Sequence, residues 1–218
     1  MIGIGDAITF LSALGALIYG LRWMIRKKAA LYFQMIIGAV GCHILGYLFD
    51  LCELFVNGAL SEGFTIGYLG TIGCFLSLLT ANFGCVDGML DDRSPAMRKS
   101  RYLALLAPVT LVLLLVPNLL GDVPMETKIS YVFVWVPAIF SAYFNLKHAL
   151  IPDMGFGFVR AIRPFNVSAL IFTVLQLLHL TLWNFFDWIP LMISGIVLGV
   201  ACWIMVVMAK RGVERWVL

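Results

Sequence analysis

Long, continuous runs of apolar residues separated by short polar breaks dominate this chain. Seven runs stand out, at approximately Ala7 to Ile25, Ala30 to Phe55, Phe64 to Val86, Tyr102 to Leu120, Ile129 to Leu146, Phe165 to Phe186 and Trp188 to Ala209. Each comes close to the roughly 20 residues that an α-helix needs to cross about 30 Å of hydrocarbon. Barrel strands would instead alternate apolar and polar positions over about ten residues. The continuity therefore predicts helices, whose backbone groups are all bonded within their own segment. The expected fold is all-α, a polytopic membrane protein with a single seven-helix transmembrane domain over residues 1–218. The division between the last two spans rests on the polar turn from Asn184 to Asp187 and on Pro190, which suits the first turn of a helix.

Composition agrees with lipid as the main solvent: 62% of the 218 residues are hydrophobic and 12% charged, about half the charge of an ordinary soluble domain. The distribution of that charge adds an orientation. Arg22, Arg26, Lys27, Lys28, Arg93, Arg98, Lys99, Arg101, Lys147, Arg160, Arg163, Lys210, Arg211 and Arg215 fall on one side of the spans, leaving only Lys128 on the other. That other side carries Asp6, Glu62, Asp122, Glu126 and Asp187, with Asp50 and Glu53 near its edge. Basic loops stay cytoplasmic, so the N-terminus is expected outside and the C-terminus inside, in a multi-pass protein of the cell's inner (plasma) membrane. No basic region precedes the first apolar run and no small-residue cleavage site follows it, so a cleaved signal peptide is not expected. Five cysteines lie in or at the ends of the spans without paired CxxC spacing, which argues against a disulfide framework or a zinc ribbon.

The longest basic-side loops, Asp87 to Arg101 and Lys147 to Pro164, leave no room for a soluble domain, and only nine residues follow Ala209. The first and last sets of spans share no residue pattern that would mark the duplicated halves of many transporters.

Polar side chains inside spans are costly and usually face a bundle interior or a wet cavity. His43, Tyr47, Asp50 and Asn57 are spaced by four, three and seven residues, which puts them on one face of the second helix. Glu53 sits off that line near the same mouth. In the sixth span Gln176, Trp183 and Asp187 align, His179 lies about 60° away and Thr173 one turn deeper. The third span adds Tyr68, Thr71, Phe75, Asn82 and Cys85, and the fifth Tyr131, Trp135 and Asn145. If these faces converge, they line an outward pocket rich in aromatic and amide groups, with His43, Tyr47, Asp50, Tyr68, Gln176, His179 and Trp183 as candidate ligand contacts. The alternative is that each residue simply hydrogen-bonds a neighbouring helix, or belongs to an interfacial aromatic belt. Gly38, Gly41 and Gly46 in the second span, with Gly67, Gly70 and Gly73 in the third, permit close backbone approach. Pro108, Pro117 and Pro137 are expected to kink their helices. His43 and His179 are candidate proton-sensitive groups if Asp50 or Asp187 lies beside either, because histidine changes charge near neutrality.

Several seven-helix chemistries are disfavoured. A retinal Schiff base needs a lysine within the last helix, whose only lysine is Lys210 at the basic end. A zinc hydrolase needs three converging histidines, and His43, His148 and His179 are not spaced to provide them. Neither enzyme activity, a metal nor a cofactor is expected.

Between Phe33 and Arg101, "LGYLFDLCELF" at Leu45 to Phe55, "IGYLG" at Ile66 to Gly70 and a third span ending in a short charged loop resemble the seven-transmembrane sensor region that precedes bacterial histidine kinase or diguanylate cyclase domains. Pro117, beside Asn118 late in the fourth span, and Gln176 fit the same resemblance. It implies a sensory bundle that binds a small ligand and passes its state through the seventh helix. Such regions continue into a cytoplasmic output domain, and this sequence stops at Leu218, leaving open a separate partner or a longer protein. The expected function is thus a receptor-like sensor, with a small-solute or ion transporter using a midplane polar site as the alternative. Expected partners are the lipid bilayer, a small ligand and a kinase or cyclase output domain, with a homodimer left open and no nucleic acid.

Overall fold

The apolar runs fold as helices that extend past their apolar limits, because charged residues at each end continue the helical hydrogen bonding into the interfacial layer. The computed structural model describes residues 3–27, 29–60, 63–152, 157–185 and 188–217. Among these are α1 Gly3–Lys27, α2 Leu31–Asn57, α3 Ile66–Leu90, α4 Pro95–Leu120, α5 Met125–Leu150, α6 Phe158–Phe185 and α7 Trp188–Val217, and no strand. All seven are long and apolar enough to cross a membrane, so the chain is an all-α, seven-helix, multi-pass membrane protein. The residues after Ala209 are not a loose tail: α7 carries them in helix to Val217. The long loop expected from Asp87 to Arg101 shrinks to Asp91–Ser94, and α6 begins at Phe158, enclosing Pro164.

Packing joins the helices in a ring, α1–α2–α3–α5–α6–α7 and back to α1, with α4 outside it against α5 and α6. Side chains pointing away from the ring, among them Leu11, Leu45, Phe133, Ile171 and Val200, are apolar and exposed, as contact with lipid tails requires. One end of the bundle holds the basic termini and connections and is called the basic end below. The opposite end, with the α2–α3 and α4–α5 connections, is the acidic end.

Glycines set the closest approaches. A Cβ on Gly70 would lie 2.5 Å from the Gly46 Cα, and one on Gly46 2.8 Å from the Gly67 carbonyl oxygen, so α2 and α3 touch backbone to backbone. Gly195 likewise packs α7 on Gly5 and Thr9 of α1, where the Thr9 hydroxyl donates to the Gly195 carbonyl at 2.9 Å. Gly38 and Gly41 face open space and take no part in such a seam. Two helices depart from regular geometry. In α4 the helix is interrupted at Leu105, because the ring of Pro108 excludes a hydrogen bond to the Ala104 carbonyl. In α3, Thr80–Asp87 forms a π-helix, a wide turn that carries Asn82 and Asp87.

Candidate functional site

At the acidic end a cavity of about 230 Å³ opens between α1, α2, α3, α5 and α6. Its walls carry Asp6, Tyr47, Asp50, Tyr68, Thr71, Thr127, Tyr131, Gln176 and His179, with Leu60, Thr65, Val123, Pro124 and Leu180 around the mouth. Each side chain is presented by helical register: Tyr47 and Asp50 lie one turn apart on α2, Gln176 and His179 one turn apart on α6, and Asp6 sits in the first turn of α1, where the helix dipole favours a carboxylate. Gly67 makes room for the Asp50 carboxylate, which would collide with any Cβ at that position.

Hydrogen bonds in the cavity wall tie four helices together. His179 Nδ1 lies 2.6 Å from Ser194 Oγ on α7, and His179 Nε2 lies 3.3 Å from Asp6 Oδ1 on α1. The Tyr47 hydroxyl donates to Gln176 Oε1 at 3.4 Å, bridging α2 and α6. Asp50 makes no hydrogen bond or ion pair among the described residues, and neither does the second oxygen of Asp6. Among the described residues no lysine or arginine lines the cavity.

Five of the expected ligand contacts, Tyr47, Asp50, Tyr68, Gln176 and His179, thus line one space. His43 does not. It shares their face of α2 but lies a turn deeper, 1% exposed, with its ring 4.8 Å from Tyr47 and edge-on to Phe172 at 5.1 Å, and neither nitrogen has a hydrogen-bond partner among the described residues. With buried Phe172 it packs behind Tyr47, outside the cavity lining. The Trp183 side chain and Asp187 lie outside the described residues, as does Glu62. Of the two histidines expected to meet a carboxylate, His179 has one beside it, and that carboxylate is Asp6 rather than Asp50.

Asn82 and Asn145, expected on the pocket-lining faces, belong instead to a second polar cluster toward the basic end. Asn145 Nδ2 donates to the Ser141 carbonyl at 2.8 Å, leaving its Oδ1 to accept from Asn82 Nδ2 at 2.8 Å. Asn82 Oδ1 then faces His148 Nδ1 at 3.0 Å, and Asp87 Oδ1 faces His148 Nε2 at 2.9 Å. An amide oxygen and a carboxylate oxygen from the π-helical turn of α3 thus flank the two ring nitrogens of His148. Lys147 bridges Asp87 at 2.6 Å and Asp91 at 2.7 Å, and Arg101 reaches Asp91 at 3.2 Å. At Asp91, just beyond α3, burial pushes the carboxyl up, but hydrogen bonds from Lys147 and the Arg93 amide, with the charges of Lys147 and Arg101, outweigh it and hold the carboxyl below the usual carboxylate range.

Among the described residues no three histidine, cysteine or acidic side chains cluster as a metal site, and all five cysteines are free thiols. No family model, curated protein or solved structure matches this chain.

Proposed function

We propose that the protein is a receptor-like sensory module of a cell's inner (plasma) membrane: a small ligand enters the acidic-end cavity from outside the cytoplasm, and α7 carries the resulting change to a cytoplasmic output partner. The observation that carries this reading is the position of His179, which lines the cavity while touching Ser194 of α7 and Asp6 of α1. A ligand that displaces or recruits this imidazole changes the contacts holding α7 to its neighbours. It signals only to the extent that it favours one arrangement over another. The orientation follows from the bias of basic residues. The kinase- or cyclase-type partner follows from the resemblance at Leu45 to Phe55 and Ile66 to Gly70. The buried layer of His43 and Phe172 beneath the cavity supports a receptor over a route through the membrane.

The test uses the full chain in nanodiscs and in proteoliposomes with a panel of small amines, carboxylates, sugars and amides. Hydrogen exchange at the basic end of α7, near Lys210 to Arg215, should change with at least one class, without accumulation of that solute in the vesicles, and Ser194→Ala should weaken the change. Accumulation of a solute with unchanged exchange would identify a transporter instead.

A further inference from the structure

We infer that the cavity takes a small organic ammonium ion, its charge held between Asp50 and Asp6 and its carbon body against Tyr47, Tyr68 and Tyr131. This assignment of ligand class rests on reading the cavity as the ligand site.

The argument starts from charge. Two carboxylates line one cavity, and among the described residues no lysine or arginine lines it with them. Asp6 is only 5% exposed and shares a single oxygen with His179, while its other oxygen has no partner among the described residues. Asp50 has none for either oxygen. Carboxylates in a membrane bundle are expensive to maintain and ordinarily find a counter-charge. The basic end shows this chain doing so: Asp87 and Asp91 are both bound by Lys147. At the acidic end no lysine or arginine stands among the described cavity residues, and the cavity is the space in which such a cation would stand.

The lining then selects the kind of cation. A hard metal ion prefers about six to eight oxygen ligands at short range, and no group of three ligating side chains exists among the described residues. Tyrosine faces instead attract ammonium groups through the ring quadrupole. Tyr47, Tyr68 and Tyr131 all line the cavity, Tyr68 and Tyr131 edge-to-face with ring centres 6.0 Å apart. Leu60, Val123, Pro124 and Leu180 offer apolar contact to a carbon skeleton, and Thr71, Thr127 and Gln176 offer hydrogen-bond acceptors to its N–H groups. A volume of about 230 Å³ limits the occupant to a small molecule.

The probes are choline and phenethylamine as cations, 3,3-dimethylbutan-1-ol as the neutral carbon isostere of choline, and sodium chloride at matched ionic strength. Binding to the full chain in nanodiscs is followed by calorimetry and by thermal shift. At least one ammonium probe should bind while the neutral isostere and sodium do not. Asp50→Asn should weaken that binding at least roughly tenfold, and Asp6→Asn provides a second variant should the first fail to fold. Equal binding of the isostere, occupancy by sodium alone, or full affinity in both folded variants overturns the assignment. If ammonium probes fail but another class from the wider panel alters α7 exchange, the ligand class is wrong and the sensory reading stands. If ammonium binds through Asp50 and α7 exchange never changes, the class stands and the sensory reading fails.

Discussion

The two ends of the bundle treat acidic residues in opposite ways. At the basic end Asp87 and Asp91 are held by Lys147, His148 and Arg101, and the amides of Asn82 and Asn145 complete a directed chain of hydrogen bonds. At the acidic end Asp50 stands without a partner among the described residues and Asp6 has only an imidazole. A paired network of this kind holds α3, α4 and α5 in one register and leaves little for a ligand to do. An unpaired set in an open cavity leaves part of its electrostatic demand to be met from outside.

The contrast can be broken most severely at Lys147. Lys147→Met removes the shared counter-ion of Asp87 and Asp91, and loss of one member of a buried ion pair should lower stability by about 3 kcal/mol, read as a lower unfolding midpoint in detergent. Asn82→Ala cuts the chain at its middle, since Asn82 both donates to Asn145 and accepts from His148. The expected loss is smaller, about 1–2 kcal/mol, and a double variant with Asn145→Ala should cost less than the two losses added. At the other end the sign should reverse. Asp50→Asn relieves an unpaired carboxylate, so the ligand-free protein should be as stable as the parent or more stable by about 1 kcal/mol. A clear loss of stability would show that Asp50 has a structural partner after all.

The smallest effect concerns pH. The folded Asp91 carboxyl lies below its ordinary range, so its contribution is fully present above the unfolded value of about 4 and disappears as the pH falls through the folded value. Thermal unfolding of parent and Asp91→Asn should therefore differ near neutrality and converge in acid. A difference that stays constant with pH would remove Asp91 from the charge network.

Hydropathy made the seven helices legible, because a span must be apolar along its whole length. Helical spacing likewise grouped Tyr47 with Asp50 and Gln176 with His179. What spacing does not encode is depth. His43, Asn82 and Asn145 share faces with cavity residues but sit one or more turns further in, so His43 packs against Phe172 outside the cavity and the two asparagines join the network below. Asp6 is hidden for the opposite reason: in the first turn of the first helix it has the pattern of a solvated interfacial residue, and only the packing of α1 on α7, itself packed on α6, brings it to His179. Pairing of His148 with Asp87 was equally hidden, since 61 residues separate them.

The wide turn at Thr80–Asp87 gives α3 two angular phases. Each residue of an α-helix advances by about 100°, so the extra residue that a π-turn accommodates rotates everything beyond it relative to what precedes it. The acidic half of α3 is thereby phased to the glycine seam of α2, and the basic half to the side chains of α5. Deleting a single residue within this segment would restore one continuous phase and swing Asp87 away from Lys147 and His148 while Gly67 and Gly70 stayed in place. The helix thus turns two sets of contacts on one shaft, its glycines against α2 and its Asn82 and Asp87 against α5, and a single residue sets the angle between them.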